Sequence, residues 1–180
     1  LAEAIPLLER ARTLCREANI VVWLSITASE LGHAYSMSGR SEEGMALLEL
    51  SVDGAPDPRN AQRCCWLGES YLRAGRASDA SRTAERALAL ARSGGMRGDE
   101  AWSLRLLGEI AERAGPLEAE VAEGHYRQAL ALAEALSMRP LMAHCHAGMA
   151  RLHRRTSEHG RAQEHSRLAA AMYREMEMIP

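Results

Sequence analysis

A cysteine and four of the seven histidines of this 180-residue chain lie within residues 141–160. Cys145 stands between His144 and His146, and His153 and His159 follow on the C-terminal side. Thiolate and imidazole groups are preferred ligands of zinc and other transition metals, and they also act in nucleophilic and acid–base catalysis. The density of these groups raises the question of whether the segment forms a metal site or a catalytic site.

Helical spacing assigns Cys145 to the hydrophobic core. Leu141, Cys145, Met149 and Leu152 recur at i, i+4, i+8 and i+11, which is the apolar stripe of an amphipathic helix. A thiol on such a stripe packs against neighbouring helices. We therefore expect Cys145 to be a buried packing residue.

The histidines do not converge within this helix either. His144 and His146 are separated by about 200° around the helix axis, so they point to different sides. His146 and His153 share a face but lie about 10.5 Å apart along the axis, which is too far for one tetrahedral ion. A metal site would need His159 or His165, from the next helix, to approach the histidines of this helix. We predict no metal, no cofactor and no catalytic residue.

The composition argues against several classes of function. The net charge of −2, with 22 basic residues that are all arginine, lacks the basic excess of a nucleic-acid-binding surface. No apolar run approaches the roughly 20 residues of a membrane span, and Leu1 does not open a signal peptide. The four cysteines form no C-x-x-C pair. We expect a cytoplasmic protein with reduced thiols and without nucleic-acid or membrane partners.

The distribution of residue types predicts an all-helical chain. Phe is absent, Val and Ile are few, and no segment alternates apolar and polar residues, whereas Ala, Leu, Glu and Arg dominate. Glycine and proline clusters divide the sequence into segments of roughly 13 to 20 residues. About nine helices result.

The helical segments repeat with one spacing. In the first two copies, a Leu-Gly pair is followed by Tyr three residues after the Gly, by a second Gly seven residues after it, and by small residues twelve and nineteen after it. The third copy has Ala111 in place of Tyr and two extra residues in its turn, and the fourth keeps the spacing with Ala, His and Ser in place of Gly, Tyr and the second Gly. The four copies begin at Gly32, Gly68, Gly108 and Ala150. Small residues at these positions let two antiparallel helices approach closely, and each hairpin must stack on its neighbours to bury its apolar face.

The same spacing gives His153 the position of Tyr35 and Tyr71. We expect His153 to fill the aromatic slot between helices as a hydrogen-bonded, half-buried imidazole.

This pattern resembles the tetratricopeptide repeat family over nearly the whole chain. Pro56 also stands where the closing proline of the motif falls in the first copy. The resemblance implies a right-handed α-solenoid of antiparallel helix hairpins. We interpret the chain as one such solenoid with these segments: 1–19 as the second helix of a preceding repeat, then repeats at 20–57, 58–95, 96–137 and 138–180.

A narrower resemblance concerns the C-terminal third. The phrases "MRPLMAHCHAGMARLHRR" and "AAAMYREMEM" are similar to the C-terminal repeats of bacterial signalling proteins that join an adenylate or guanylate cyclase-like domain to an ATPase. The resemblance implies that the chain is the tail of such a protein. It supplies no catalytic residue, because neither cyclase aspartates nor a phosphate-binding loop occurs in this sequence.

In the solenoid, the first helix of each hairpin lines the concave face. Positions six and three before the Gly, and one, four and five after it, are expected to point inward. The charged and aromatic members of this set are the candidate protein-binding residues His33, Glu69, Arg73, Trp102, Arg105, Glu109, Arg113, His144, Arg151, Arg154 and Arg155.

Arginine and tryptophan are frequent binding anchors, and clustered arginines suit carboxylate or phosphate groups. We therefore predict a non-catalytic scaffold that binds a protein or peptide, acidic in character, along this face. Two alternatives stay open. The charged residues could form ordinary solvated Arg/Glu ladders, or copies of the chain could associate through apolar solenoid ends. The residues expected at those ends are Leu1, Ile5, Leu8, Met172, Met176 and Ile179.

Overall fold

A computed structural model describes residues 1–52, 60–114 and 117–178. Predictions that concern Pro56 and Ile179 fall outside the described residues. Within the described ranges the chain forms nine α-helices and no strand. They are α1 (Ala4–Glu17), α2 (Val21–Met37), α3 (Ser41–Val52), α4 (Ala61–Arg73), α5 (Ala77–Ser93), α6 (Arg97–Arg113), α7 (Ala119–Ala135), α8 (Arg139–Arg155) and α9 (His159–Glu175). The predicted fold class is confirmed.

Most of the helices end at a residue with positive φ. Gly39 and Gly75, the glycines that come seven residues after the Leu-Gly pairs of the first two copies, have φ of 89° and 74°. After α4, the Gly75 amide donates to the Leu72 carbonyl and the next amide donates to the Tyr71 carbonyl, which satisfies carbonyls that the helix leaves open. Ser157 has the same left-handed conformation, with φ of 62°, after α8.

Consecutive helices pack against each other, and α2, α4, α6 and α8 also contact one another in series. These four helices form an inner layer, and the odd-numbered helices pack behind them. Close approach within a hairpin depends on small residues. A Cβ atom on Gly32 would lie 2.8 Å from the Gly44 carbonyl oxygen, so α2 and α3 touch backbone to backbone. The small-residue positions of the repeat therefore do what their spacing predicts.

The core follows the apolar stripes. Cys145 is fully buried beside Leu141 and Leu104, which confirms that it is a packing residue. Tyr35 and Tyr71 occupy equivalent positions between helices, and their hydroxyls donate hydrogen bonds to Glu9 on α1 and to Glu49 on α3, respectively.

His153 differs from the prediction of a hydrogen-bonded, half-buried imidazole. Its side chain is 1% exposed, and neither ring nitrogen has a hydrogen-bond partner. The prediction was wrong on both points because it was based on the tyrosines. A tyrosine hydroxyl reaches the edge of the slot, whereas the shorter imidazole stays below the surface, with Nδ1 3.6 Å from Oε1 of Glu158.

No helix in the described part of the chain combines the length and the hydropathy that crossing a membrane requires.

Candidate protein-binding groove

The inner helices enclose an open groove of about 560 Å³. Residues from α2, α4, α6 and α8 line it, and Tyr173 of α9 closes one end. Nine of the eleven candidate residues lie along this groove: His33, Glu69, Arg73, Trp102, Arg105, Glu109, Arg113, His144 and Arg151.

The remaining two candidates lie elsewhere. Arg154 and Arg155 are exposed at the end of α8 and do not line the groove. Nη1 of Arg154 instead donates a hydrogen bond of 3.2 Å to the hydroxyl of Ser166 on α9. α8 is the last of the four inner helices in the described chain, so its C-terminal turn has no further inner helix to face.

Two aromatic residues of the groove were missed by the sequence reasoning. Trp66 lies two residues before Gly68, a position outside the five that were taken to point inward. Tyr173 belongs to the second helix of the last hairpin, whereas only first helices were considered. The only signal in the sequence was that both are large aromatic residues on helices that flank the groove.

Arg105 is the buried centre of the groove's charge network. Its side chain is 10% exposed, and its guanidinium group is paired with Glu69 on α4 and with Glu109 on its own helix. The distance from Nη1 of Arg105 to Oε2 of Glu109 is 2.7 Å. The guanidinium carbon also lies 5.4 Å from the centroid of the Trp102 ring. Because both carboxylates hold it, Arg105 organises the groove floor.

Burial and charge act in opposite directions on these carboxyl groups. Burial raises the pKa of Glu69, although Arg105 and Arg73 lie beside it. At Glu109 burial also opposes ionisation, but the charges of Arg105, Arg113 and Arg151 outweigh it and lower the pKa. Glu109 therefore stays ionised at neutral pH as the shared acceptor of several arginines.

A second buried carboxylate holds Arg151. Glu112 is 4% exposed and accepts hydrogen bonds from Nε and Nη2 of Arg151, at 3.1 and 3.0 Å. The hydroxyl of Tyr126, on α7, donates a third at 2.8 Å. Two parallel N–H donors to one carboxylate fix the plane of a guanidinium group. Arg151 is therefore held in one orientation at the groove wall.

Three arginines keep part of their guanidinium surface toward the groove. The side chains of Arg73, Arg113 and Arg151 are 37%, 47% and 41% exposed. Each one also has a carboxylate neighbour inside the protein. With Arg105 there are four guanidinium groups against the carboxylates of Glu69, Glu109 and Glu112, an excess of one positive charge.

Aromatic rings form the apolar part of the groove. The rings of His33 and Trp66 are stacked with centroids 4.4 Å apart. Trp102 lies 5.7 Å from the ring of His144, and His144 Nδ1 shares a hydrogen bond of 2.8 Å with the Tyr173 hydroxyl. Burial lowers the pKa of His144 and, with the charge of Arg73, lowers the pKa of His33 to about 4. Both imidazoles are therefore neutral at pH 7.

The groove lacks the chemistry of a thiol nucleophile. Cys65 lines it, but burial strongly raises the pKa of its thiol. Burial also raises the pKa of Cys145 to about 12. A reactive cysteine needs a lowered thiol pKa, so both groups stay protonated and unreactive at neutral pH.

His146 and His165 do converge across α8 and α9, which is the approach that the sequence left open. Their Nδ1 atoms are 2.9 Å apart. Among the described residues, however, no group of three or more His, Cys, Asp or Glu side chains is arranged to hold a metal ion. His144 lies on the other side of α8, facing the groove, as the helical spacing predicts.

Comparisons with known proteins agree with this geometry. No family model matches the sequence. A segment of 97 residues is 33% identical to KINESIN LIGHT CHAIN-RELATED 3 of Arabidopsis thaliana, covering 49% of this chain and 15% of that protein. The crystal structure of BtubC (BKLC) from P. vanneervenii superposes with a TM-score of 0.71 at 23% identity, covering 97% of this chain and 72% of that one. The fold is a tetratricopeptide-type solenoid.

Aspartyl phosphate phosphatase F of Bacillus subtilis has the same arrangement of helices, with a TM-score of 0.73 at 13% identity. The match covers 98% of this solenoid but 47% of that chain. At such low identity the likeness concerns the fold alone. Solenoids of the tetratricopeptide type generally mediate protein–protein interactions, and these matches do not support the cyclase-like resemblance.

Proposed function

We propose that the solenoid is a non-catalytic scaffold that binds an acidic peptide or helix in the groove. The proposal rests on one observation. The side chains of Arg73, Arg113 and Arg151 are partly exposed in the same groove that the aromatic rings line. Partly exposed guanidinium groups each still have N–H groups that can donate to a carboxylate of the partner. The rings of Trp66 and Trp102 offer apolar area for the side chains between the acidic residues.

The charge count limits how the partner can bind. Arg105 is surrounded by Glu69 and Glu109 and is nearly inaccessible, so it supports the floor of the groove and does not contact the ligand. An incoming carboxylate has to share Arg113 with Glu109, and Arg151 with Glu112. We therefore propose moderate affinity, with a marked dependence on salt.

Selection from a random-peptide library on the purified protein tests the proposal. We expect enriched peptides with net negative charge and at least one large apolar residue. Their affinity, measured by calorimetry, falls at least tenfold in Arg73→Glu/Arg113→Glu. The matched control is Arg82→Glu/Arg127→Glu, which makes the same change in net charge at side chains that are 78% and 65% exposed and lie outside the groove. Enrichment of basic peptides, or equal affinity in the groove variant and the control, would contradict the proposal.

A specific observation supports a second function, association between copies through the N-terminal end. Leu7, Leu14, Val21, Val22 and Trp23 on α1 and α2 are between 54% and 69% exposed. Of the residues expected to be exposed there, Leu1 is exposed, but Ile5 and Leu8 are half-buried. Large exposed apolar patches mark interaction surfaces.

Sedimentation over a range of concentrations tests this second function. The comparison is between the natural chain and Leu7→Glu/Leu14→Glu. We expect dimers that the variant abolishes. A monomer at all concentrations would exclude self-association while leaving the groove proposal intact.

The wider context is also a proposal. The division into repeats at 20–57, 58–95, 96–137 and 138–180 rests on residue spacing, and the cytoplasmic location rests on the lack of a membrane span or signal peptide in the sequence. A parent signalling protein with a cyclase-like domain rests on sequence resemblance. Reading the coding sequence upstream of Leu1 tests the last of these directly. An upstream region without cyclase-like or ATPase motifs would rule out that parent.

A further inference from the structure

α9 is a terminal helix with few buried residues. It packs mainly on α8, and of its seventeen residues, all of which are described, Ala162 and Ala169 are the two that are fully buried. By comparison, nine residues of α8 are buried. Terminal elements with few buried apolar contacts open at the low end of the free-energy scale.

A histidine pair lies in the interface between α8 and α9. Nδ1 of His146 on α8 and Nδ1 of His165 on α9 share a hydrogen bond of 2.9 Å, and the two rings are stacked with centroids 5.2 Å apart. One ring must donate its N–H and the other must accept with a bare nitrogen. The contact therefore requires at least one neutral imidazole.

A third imidazole, that of His153, makes it less favourable for the pair to carry positive charge. His153 is fully buried on α8, and its ring stacks on the ring of His165 with centroids 5.5 Å apart. Neither nitrogen of His153 has a hydrogen-bond partner. Three imidazoles in contact in a partly buried interface repel one another once more than one of them is charged.

The charged groups around the cluster do not neutralise it. The carboxylates that act on His146 are Glu134 on α7 and Glu164 on α9, and both side chains are exposed, so water and salt weaken their effect. Burial outweighs them and lowers the pKa of His146 and of His165, with the other histidines adding to the effect at His165.

Two further charged residues, Glu158 and Arg161, lie at the N-terminal end of α9. Glu158 is 3.6 Å from His153, but its other oxygen accepts from Arg161 at 2.7 Å. Arg161 also pairs with Glu123 on α7 and adds positive charge near His165. The start of α9 therefore places near the histidines one carboxylate, which Arg161 also binds, and one positive charge, which disfavours their protonation.

We propose that the His146–His165 contact is an acid-sensitive latch, and that protonation of both rings releases α9 from α8. Because Tyr173 lies on α9 and closes one end of the groove through its hydrogen bond to His144, release of α9 also opens the groove at that end. This second consequence rests on the proposed function of the groove, whereas the latch itself does not.

Hydrogen exchange with mass spectrometry on the full chain, in the presence of a chelator, tests the latch without any ligand. After correction for intrinsic rates, we expect the protection of α9 to fall at least tenfold between pH 7.5 and pH 5.0, and that of α5 to change less than threefold. In His165→Gln the fall in α9 is expected to be less than threefold. His159→Gln, which removes an exposed histidine from the same helix, should respond like the natural chain.

Equal pH responses of α9 and α5 would overturn the latch. A response that persists in His165→Gln but disappears in His144→Gln would also overturn it, because it would assign the effect to the contact of His144 with Tyr173. Should His165→Gln fail to fold, an NMR titration of the imidazoles in the natural chain decides the matter. Coupled titration of His146 and His165 below their ordinary range is expected, and independent titration near about 6.5 would contradict the latch.

Discussion

The ring of Tyr126 lies between Gly108 on α6 and Gly148 on α8, and its hydroxyl donates a hydrogen bond of 2.8 Å to the buried carboxylate of Glu112. Because Glu112 also holds Arg151, this tyrosine links the packing of three helices to the position of a groove arginine. The two glycines supply the space for the ring, and the carboxylate supplies the partner that a buried hydroxyl needs.

Removing the hydroxyl alone tests the polar half of this link. Tyr126→Phe leaves the ring in place but takes one donor from a buried carboxylate. We expect a loss of about 1.5–3 kcal/mol in the free energy of unfolding, measured by urea denaturation. Tyr71→Phe is the matched control, because its partner Glu49 is 45% exposed and water can replace the hydroxyl. A smaller loss for Tyr126→Phe than for Tyr71→Phe would show that Glu112 does not depend on this donor.

Filling the space beside the ring tests the packing half. A Cβ atom on Gly148 would lie 2.5 Å from Cε1 of Tyr126, and the ring is 1% exposed, so it has nowhere to move. We expect Gly148→Ala to cost about 2–3 kcal/mol in unfolding free energy.

Gly124→Ala, on α7, makes the same substitution at a site where the added methyl group meets no neighbour. Nothing lies within 4 Å of the added Cβ there, so higher helix propensity should stabilise the protein by about 0.5–1 kcal/mol. Equal effects of the two substitutions in urea denaturation would contradict the packing argument.

The sequence predicts the helices and their order well because glycine spacing and apolar stripes act locally and recur in each hairpin. Gly32, Gly68 and Gly108 lie where two helices touch, so the repeat could be recognised from the sequence alone. The same register placed nine candidate residues along the groove.

The pairing of those residues could not be predicted in this way. Arg105 reaches Glu69, 36 residues earlier, and Arg151 reaches Glu112, 39 residues earlier. Such contacts depend on how far one inner helix is displaced along the next, and spacing within one helix does not encode that displacement. The approach of His165 to His146 was left open for the same reason.

Removing the central guanidinium should be far more costly than removing an outer one. Arg105→Met leaves Glu69 buried without its main partner, and breaking a buried pair in this way costs about 3–5 kcal/mol. Arg113→Met, at a side chain that is 47% exposed, should cost less than about 1 kcal/mol in the same urea denaturation.

The pH dependence provides a further check on Arg105→Met. Burial already raises the pKa of Glu69, and loss of Arg105 raises it further. A carboxyl group with a raised pKa in the folded state favours folding at low pH, so the deficit of the variant should shrink as the pH falls from 7 to 5. A deficit that is constant over this range would mean that Glu69 finds another partner.

His33 should remain neutral throughout the range in which most histidines titrate. Its ring is stacked on Trp66, and burial together with the charge of Arg73 lowers its pKa to about 4. In the natural chain, NMR titration should therefore give a midpoint near pH 4 for His33, which should return to about 6.5 in urea.

Because the folded state favours the neutral ring, its contribution to stability is complete above about pH 6.5 and is lost as the pH falls through about 4. The affinity of a selected acidic peptide should accordingly not change through His33 between pH 7.5 and pH 6. A midpoint near 6.5 in the folded protein would mean that the stack on Trp66 is open to water and that the groove carries an additional positive charge in mild acid.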